Sequence, residues 1–286
     1  MNGLNAIDLV WLRQQFPRLS NLNPLSVGGQ KLVFAGVHPI DGEVVLKLIH
    51  PRQDHEQTRR ELLAVSQVNS ERVPSILEVG TMSTPVGDCS WFRERKIAGK
   101  TVRELLVVGP LSISDLLRLG LHTLEALLDA EQAKIVHRDV KPENIIRDNS
   151  GSFWLIDFGI ARHLDLDSIT ATVSAFGKFT VGYAPQEQYR NVKTEIDARC
   201  DLFALGVTLY ECATGRNPFA DGARDAMEQL TRVETMPLPR LSLTFANAQK
   251  FADLVAAMTQ KRRDHRPSTV REAYDWMKEI CDAEGI

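Results

Sequence analysis

The sequence predicts an α+β chain, with a small sheet-bearing N-terminal part and a larger helical C-terminal part. Three observations predict it. Short β-branched runs separated by turn signals cluster between about residues 25 and 95. Apolar residues recur near a 3.6-residue period after Leu111. Strands and helices occupy separate stretches instead of alternating, which argues against a parallel βαβ sheet. A cleft between two unlike lobes is a usual place for a ligand.

Residues 4–16 form the first expected helix, with Leu4, Ile7, Val10 and Trp11 on one face, and Pro17 ends it. An exposed Trp/Leu face is costly, so this helix is expected to pack on the N-terminal sheet or on a second subunit. Leu25 and Val27, then KLVFAGV, a turn at Asp41-Gly42 and EVVLKLI read as strands. Thr58 to Asn69 turns helical through Leu62, Val65 and Val68, and SILEVGT and CSWFRER return to strand. Ser112 or Ser114 caps a long helix carrying Leu117, Leu121, Leu124 and Leu128. Further helices are expected over 198–213, 224–233, 246–259 and 269–281.

Composition excludes several classes. The 286 residues are 43% hydrophobic and 25% charged, which rules out a disordered, collagen-like or coiled-coil chain. The 34 basic and 37 acidic side chains give a net charge of −3, so neither nucleic acid nor an anionic membrane is expected as partner. The longest nearly apolar run, Leu202 to Ala213, is too short to span a bilayer. The start, MNGLNAIDLVWLRQQF, lacks the basic region of a signal peptide. Cys89, Cys200, Cys212 and Cys281 are scattered with no CxxC pair, which points to reduced thiols in the cytoplasm.

The chemistry concentrates in His137-Arg138-Asp139-Val140-Lys141-Pro142-Glu143-Asn144, followed by Asp157-Phe158-Gly159 after the apolar WLI. At about one in twenty per position, coincidence at the seven specified positions is on the order of one in a billion per placement. Here the sequence resembles the eukaryotic-type (Hanks-type) Ser/Thr protein kinases. HRDVKPEN is similar to their catalytic loop and DFG to their metal-binding motif. The resemblance covers roughly residues 25–281. It implies a bilobal fold: an N-terminal helical extension over 1–24, an antiparallel-sheet N-lobe with one helix over about 25–97, and a helical C-lobe over about 98–286.

The resemblance also implies roles. Asp139 would accept the proton of the substrate hydroxyl, and Lys141 would reach the transferred phosphate. Asn144 and Asp157 would ligate Mg²⁺, with Mn²⁺ as an alternative. Lys47, in the strand EVVLKLI, would hold the α/β-phosphates of ATP, with Glu61 as its partner and Glu56 as the runner-up. Val33 and Val45 would wall the base from above and Ile146 from below. GYAPQEQY resembles the segment closing the activation loop, with Gln186 a mild departure. Glu187 would pair with Arg266 in a buried ion pair, Asp201 would brace the catalytic loop, and Thr180 would contact Asp139 and Lys141.

Two stretches depart from the family. In place of GxGxxGxV stands Ser26-Val27-Gly28-Gly29-Gln30-Lys31-Leu32-Val33, so Gly28 and Gly29 alone are left to cover ATP. Aligning IAG with the family's hinge puts Glu94 at the gatekeeper position, although a register one residue away fits equally well. An acid there is costly unless paired, and Arg93 or Arg95 are its candidate partners.

The segment SITATVSAFGKFT fits either a solvated loop or an activation loop phosphorylated on Thr170, Thr172 or Ser174, with Arg138 as phosphate binder. No sensor domain is expected beyond the last helix, so regulation would fall to this loop, a partner or the N-terminal helix. The expected activity is phosphoryl transfer from ATP to Ser/Thr hydroxyls of proteins, with a homodimer serving trans-autophosphorylation. The rival readings are a pseudokinase scaffold, favoured by the altered Gly-rich loop, and a small-molecule kinase of the aminoglycoside type. KPEN, GYAPQEQ and the Glu187–Arg266 pair argue against the second.

Overall fold

The computed structural model describes residues 7–27, 31–49, 55–85, 87–158, 180–190 and 192–286, without the side chains of residues 26, 27, 55–57, 61 and 193. These residues divide into two compact units. The first comprises residues up to 69 together with 74–97, and the second comprises 70–73 and the described residues from 98 onward.

The first unit is built on a five-stranded antiparallel sheet: β1 (Ser20–Val27), β2 (Lys31–His38), β3 (Gly42–Ile49), β4 (Ile76–Thr84) and β5 (Gly87–Arg95), in the order β1-β2-β3-β5-β4. Pro24 is tolerated because β1 is an edge strand, where a missing N–H costs no ladder bond. The β2–β3 turn depends on Gly42 at φ +72°, a backbone region that glycine enters without steric cost.

Helix α1 (Leu9–Gln15) starts where the Asp8 carboxylate accepts the Trp11 N–H at 2.7 Å. It packs on one face of the sheet. Ile7 and Leu12 join Leu19, Leu22, Leu32, Phe34, Val44, Leu46 and Leu48 in one core, with Trp11 partly buried against it. Residues 7–24 therefore form part of this unit through α1 and β1. Val10, expected on the packed face, is exposed and Leu12 takes its place, because the face that α1 turns to the sheet carries Leu9, Leu12 and Phe16, whose three- and four-residue spacing leaves Val10 outside it.

Phe16 meets Trp91 edge to face at 4.9 Å. Covered on this side by α1, β3 is buried from Val44 through Ile49 without alternation. Helix α2 (His55–Val65) lies against β4 and β5, burying Leu62 and Val65.

The second unit opens with β6 (Gly99–Thr101), α3 (Val102–Leu106) and α4 (Ile113–Gln132), the last capped by Ser112 through the Asp115 N–H. β6 pairs with β7 (Ile145–Asp148), and β7 with β8 (Phe153–Leu155). Helices α5 (Gln186–Tyr189), α6 (Ala198–Thr214), α7 (Ala226–Thr235), α8 (Ala248–Met258) and α9 (Val270–Glu284) follow. Helix α6 is buried around most of its circumference because α4, α8 and α9 surround it. Gly206 permits the approach of α8, since a Cβ there would come within 2.6 Å of Thr259 Cγ2.

All four cysteines are buried free thiols. Among the described residues, no helix is long and apolar enough to cross a membrane.

Arg266 ties the segment around α5 to the C-terminal helices. Its Nη1 and Nη2 reach Glu187 at 2.6 and 3.3 Å, and it also donates to the Gln260, Lys261 and Arg199 carbonyls. Both partners are buried. His122 on α4 accepts the Phe153 N–H at 3.1 Å. Burial, aided by the Arg72 charge, pushes its imidazole down to about 4.

Two outcomes follow from these contacts. Arg266→Met strands a buried carboxylate and is expected to cost about 3–5 kcal/mol in urea unfolding. Replacing Glu187 by Met as well should recover most of that loss, and equal losses in the two variants would contradict this. His122 contributes stability above its usual 6.5, and this is lost as pH falls toward about 4. The wild-type melting temperature should drop across that window, and that of His122→Gln should drop less.

Candidate active site

Helix α4 delivers the chain into the loop 133–144, and a single buried carboxylate sets the shape of that loop. Asp201, in the first turn of α6, accepts the His137 and Arg138 backbone N–H groups, each at 2.7 Å. Complete burial pushes its carboxyl up to about 7, against the pull of those two N–H donors. The helix N-cap is Asp197, so Asp201 is committed to the loop. Arg138 sits at φ +64°, a strained region for a long side chain, held by the Asp201 bond on one side and by Gln188 Nε2 on its carbonyl at 2.7 Å.

His137 is fully buried against Phe158, with ring centroids 4.6 Å apart. Its Nε2 lies 3.0 Å from the Ile156 carbonyl and its Nδ1 takes the Asp139 N–H at 3.2 Å. A carbonyl only accepts, so the proton is on Nε2.

Three donors converge on the Asp139 carboxylate. Thr180 Oγ1 donates to Oδ1 at 2.9 Å, Asn144 Nδ2 donates to Oδ2 at 2.9 Å, and Lys141 Nζ stands 3.0 Å from Oδ2. Lys141 Nζ also donates to Thr180 Oγ1 at 2.6 Å. Asp139, Lys141, Asn144 and Thr180 thus form one connected cluster. The Asn144 backbone carbonyl accepts the Ile156 N–H at 2.9 Å, which brings the residue before Asp157 alongside Asn144. Asp157 itself is half-buried at φ +64°. Ile146 is half-buried on β7, opposite Trp154.

The first unit holds its candidate residues on one sheet face. Lys47 is paired across the strands with Val33 and with Phe92, and Val45 with Glu94. Val33, Val45 and Lys47 are all buried. Lys47 Nζ lies 5.3 Å from the Phe92 ring centre and 2.5 Å from Glu94 Oε1. Glu94 is therefore a partner of the strand lysine, a role that sequence reasoning missed.

Arg93, a candidate partner for Glu94, points to the opposite face, because neighbouring strand residues alternate. There it meets Asp41 at 2.5 Å and Glu78 at 3.2 Å. The signal was present in the alternation of CSWFRER, where Glu94 shares a face with Phe92. Glu61 lies within α2, but its side chain and that of Glu56 fall outside the described residues, as do Gly28, Gly29, Thr170, Thr172 and Ser174.

A second network had no sequence signal. Arg103 on α3 reaches Glu143 of the 133–144 loop and buried Glu211 of α6, each at 2.7 Å, and donates to the Tyr183 hydroxyl at 2.8 Å. Tyr183 in turn donates to Glu211. Burial and the Glu211 charge push the phenol well above its ordinary range.

Asp201→Asn sets an amide N–H₂ against one of two buried backbone N–H groups. It should cost about 1–3 kcal/mol in urea unfolding. An unchanged midpoint would mean that the loop does not depend on this carboxylate.

The chain resembles known proteins along most of its length. It is 34% identical over 223 residues to the probable serine/threonine-protein kinase PknB of Bifidobacterium longum, covering 75% of this chain and 31% of that protein. It is 30% identical over 277 residues to the serine/threonine-protein kinase PrkC of Bacillus subtilis, covering 94% and 41%. With the serine/threonine-protein kinase PknL of Mycobacterium tuberculosis the identity is 31% over 246 residues, covering 83% and 59%. The chain thus spans between about a third and three-fifths of the length of these relatives. The family described as "Protein kinase domain" matches residues 21–282, and the chain belongs to that family.

Proposed function

We propose that this chain is a serine/threonine protein kinase that transfers the γ-phosphoryl group of ATP to Ser or Thr hydroxyls of protein substrates. One observation carries the reading: Thr180, Asn144 and Lys141 converge on the Asp139 carboxylate, in a loop fixed by Asp201. A carboxylate held by three donors is oriented to take a hydroxyl proton, and Lys141 beside it can neutralise charge on the transferred group.

The residues also fit a divalent cation. Asn144 spends its amide N–H₂ on Asp139, which leaves its Oδ1 as the free ligating atom. Asp157 adds a carboxylate, giving the few hard oxygen ligands that suit Mg²⁺, with Mn²⁺ as the alternative. Such a cation, when bound, neutralises phosphate charge. Lys47, with Glu61 as its partner, would hold the α/β-phosphates. Gly28 and Gly29 would cover them, and Val33, Val45 and Ile146 would enclose the base.

The reading extends to a cytoplasmic enzyme, in keeping with the free thiols. It includes trans-autophosphorylation within a homodimer, on Thr170, Thr172 or Ser174. Neither nucleic acid nor a membrane is among its partners.

The test is ³²P transfer from ATP to a mixed protein acceptor, followed by phosphoamino-acid analysis. Label should appear on Ser and Thr, and Asp139→Asn should lower the rate by about 10²–10⁴-fold. Labelling by the variant equal to that of wild type would remove Asp139 from the mechanism. Label confined to small metabolites would replace the protein substrate.

A further inference from the structure

The Lys47–Glu94 pair is the feature that this reading does not absorb. Both side chains are buried, at 3% and 9% exposure, and the contact is 2.5 Å. Strand register places Glu94 opposite Val45 and Lys47 opposite Val33, on the face that carries the proposed nucleotide residues. An acid at that place brings negative charge to the ammonium assigned to a polyanion. The carboxylate and the phosphates make the same claim on one buried cation. At an effective dielectric near 20, two unit charges about 6 Å apart interact by more than RT, so the claims are not independent.

We propose that Glu94 is a positioning residue that competes with the phosphates of ATP for the Lys47 ammonium and so holds ATP affinity down. This rests on the kinase reading given above. The pair keeps Lys47 oriented and its charge compensated in a dry environment, where an uncompensated ammonium is costly. Binding of the triphosphate then requires the ammonium to be shared with or released from Glu94. The competition holds whatever else the ammonium touches, because each carboxylate near it adds to the negative charge that the phosphates must approach. Adenosine, which has no phosphates, is indifferent to this competition.

The experiment is calorimetric titration of the full chain with ATP in excess Mg²⁺ and, separately, with adenosine. Glu94→Gln keeps an acceptor for the lysine and removes the charge. It should bind ATP about tenfold more tightly, about 1.4 kcal/mol, with adenosine unchanged, and KM for ATP should fall in proportion. Unchanged or weaker ATP binding overturns the proposal. So does an equal shift for adenosine, which would mean that Glu94 acts on the base. If wild type binds neither ligand, the kinase reading fails and takes the proposal with it. If wild type binds ATP and the variant matches it, the proposal alone fails. Should Glu94→Gln not fold, Glu94→Asp withdraws the charge by one methylene and should still tighten ATP selectively.

Discussion

The candidate active site depends on two backbone hydrogen bonds to one buried acid. Asp201 holds the amides of His137 and Arg138, and so fixes the left-handed turn at Arg138 that aims Asp139 at Thr180, Asn144 and Lys141. A carboxylate in the middle of a packed helical unit is expensive to bury. It is retained here because it satisfies two amides that would otherwise be orphaned beside the Asp139 cluster. The surroundings reinforce it: Gln188 takes the Arg138 carbonyl, and the Glu187–Arg266 pair anchors the short helix that carries Gln188.

The first unit solves a different problem. Its sheet must present a buried lysine on one face without losing its core. Helix α1 makes this possible by sealing the opposite face with Leu12, so that Val44, Leu46 and Leu48 are buried on that side and Val45 and Lys47 are buried on the other. The same alternation divides two charged neighbours on β5. Glu94 goes to Lys47, while Arg93 goes to Asp41 and Glu78 beneath α1, where the guanidinium holds the Asp41 carboxyl below the usual carboxylate range.

Much of this was legible in the sequence, because the relevant signals are local. The strand and helix periods, the Ser112 cap and the Asp41-Gly42 turn depend on residues a few positions apart. The start of α1 shows the limit of such reading. Val10 and Leu12 are both apolar, and only the packing of α1 on the sheet decides which of them turns inward. The Arg103 network was invisible, since its members are spread from residue 103 to residue 211 and each reads alone as an ordinary surface charge or core tyrosine.

By itself the sequence determined which residue types stand at the chemical positions, because HRDVKPEN and DFG are contiguous motifs whose spacing the backbone must respect. It also determined the division into a sheet-bearing and a helical part, through periodicity alone. Only the tertiary structure decided that Glu94 takes Lys47 while Arg93 turns away to Asp41 and Glu78, and that Arg103 gathers Glu143, Glu211 and Tyr183. The physical reason is that a buried charge is satisfied by whatever packing brings within about 3 Å, and strand register and helix packing, not sequence distance, set that neighbourhood.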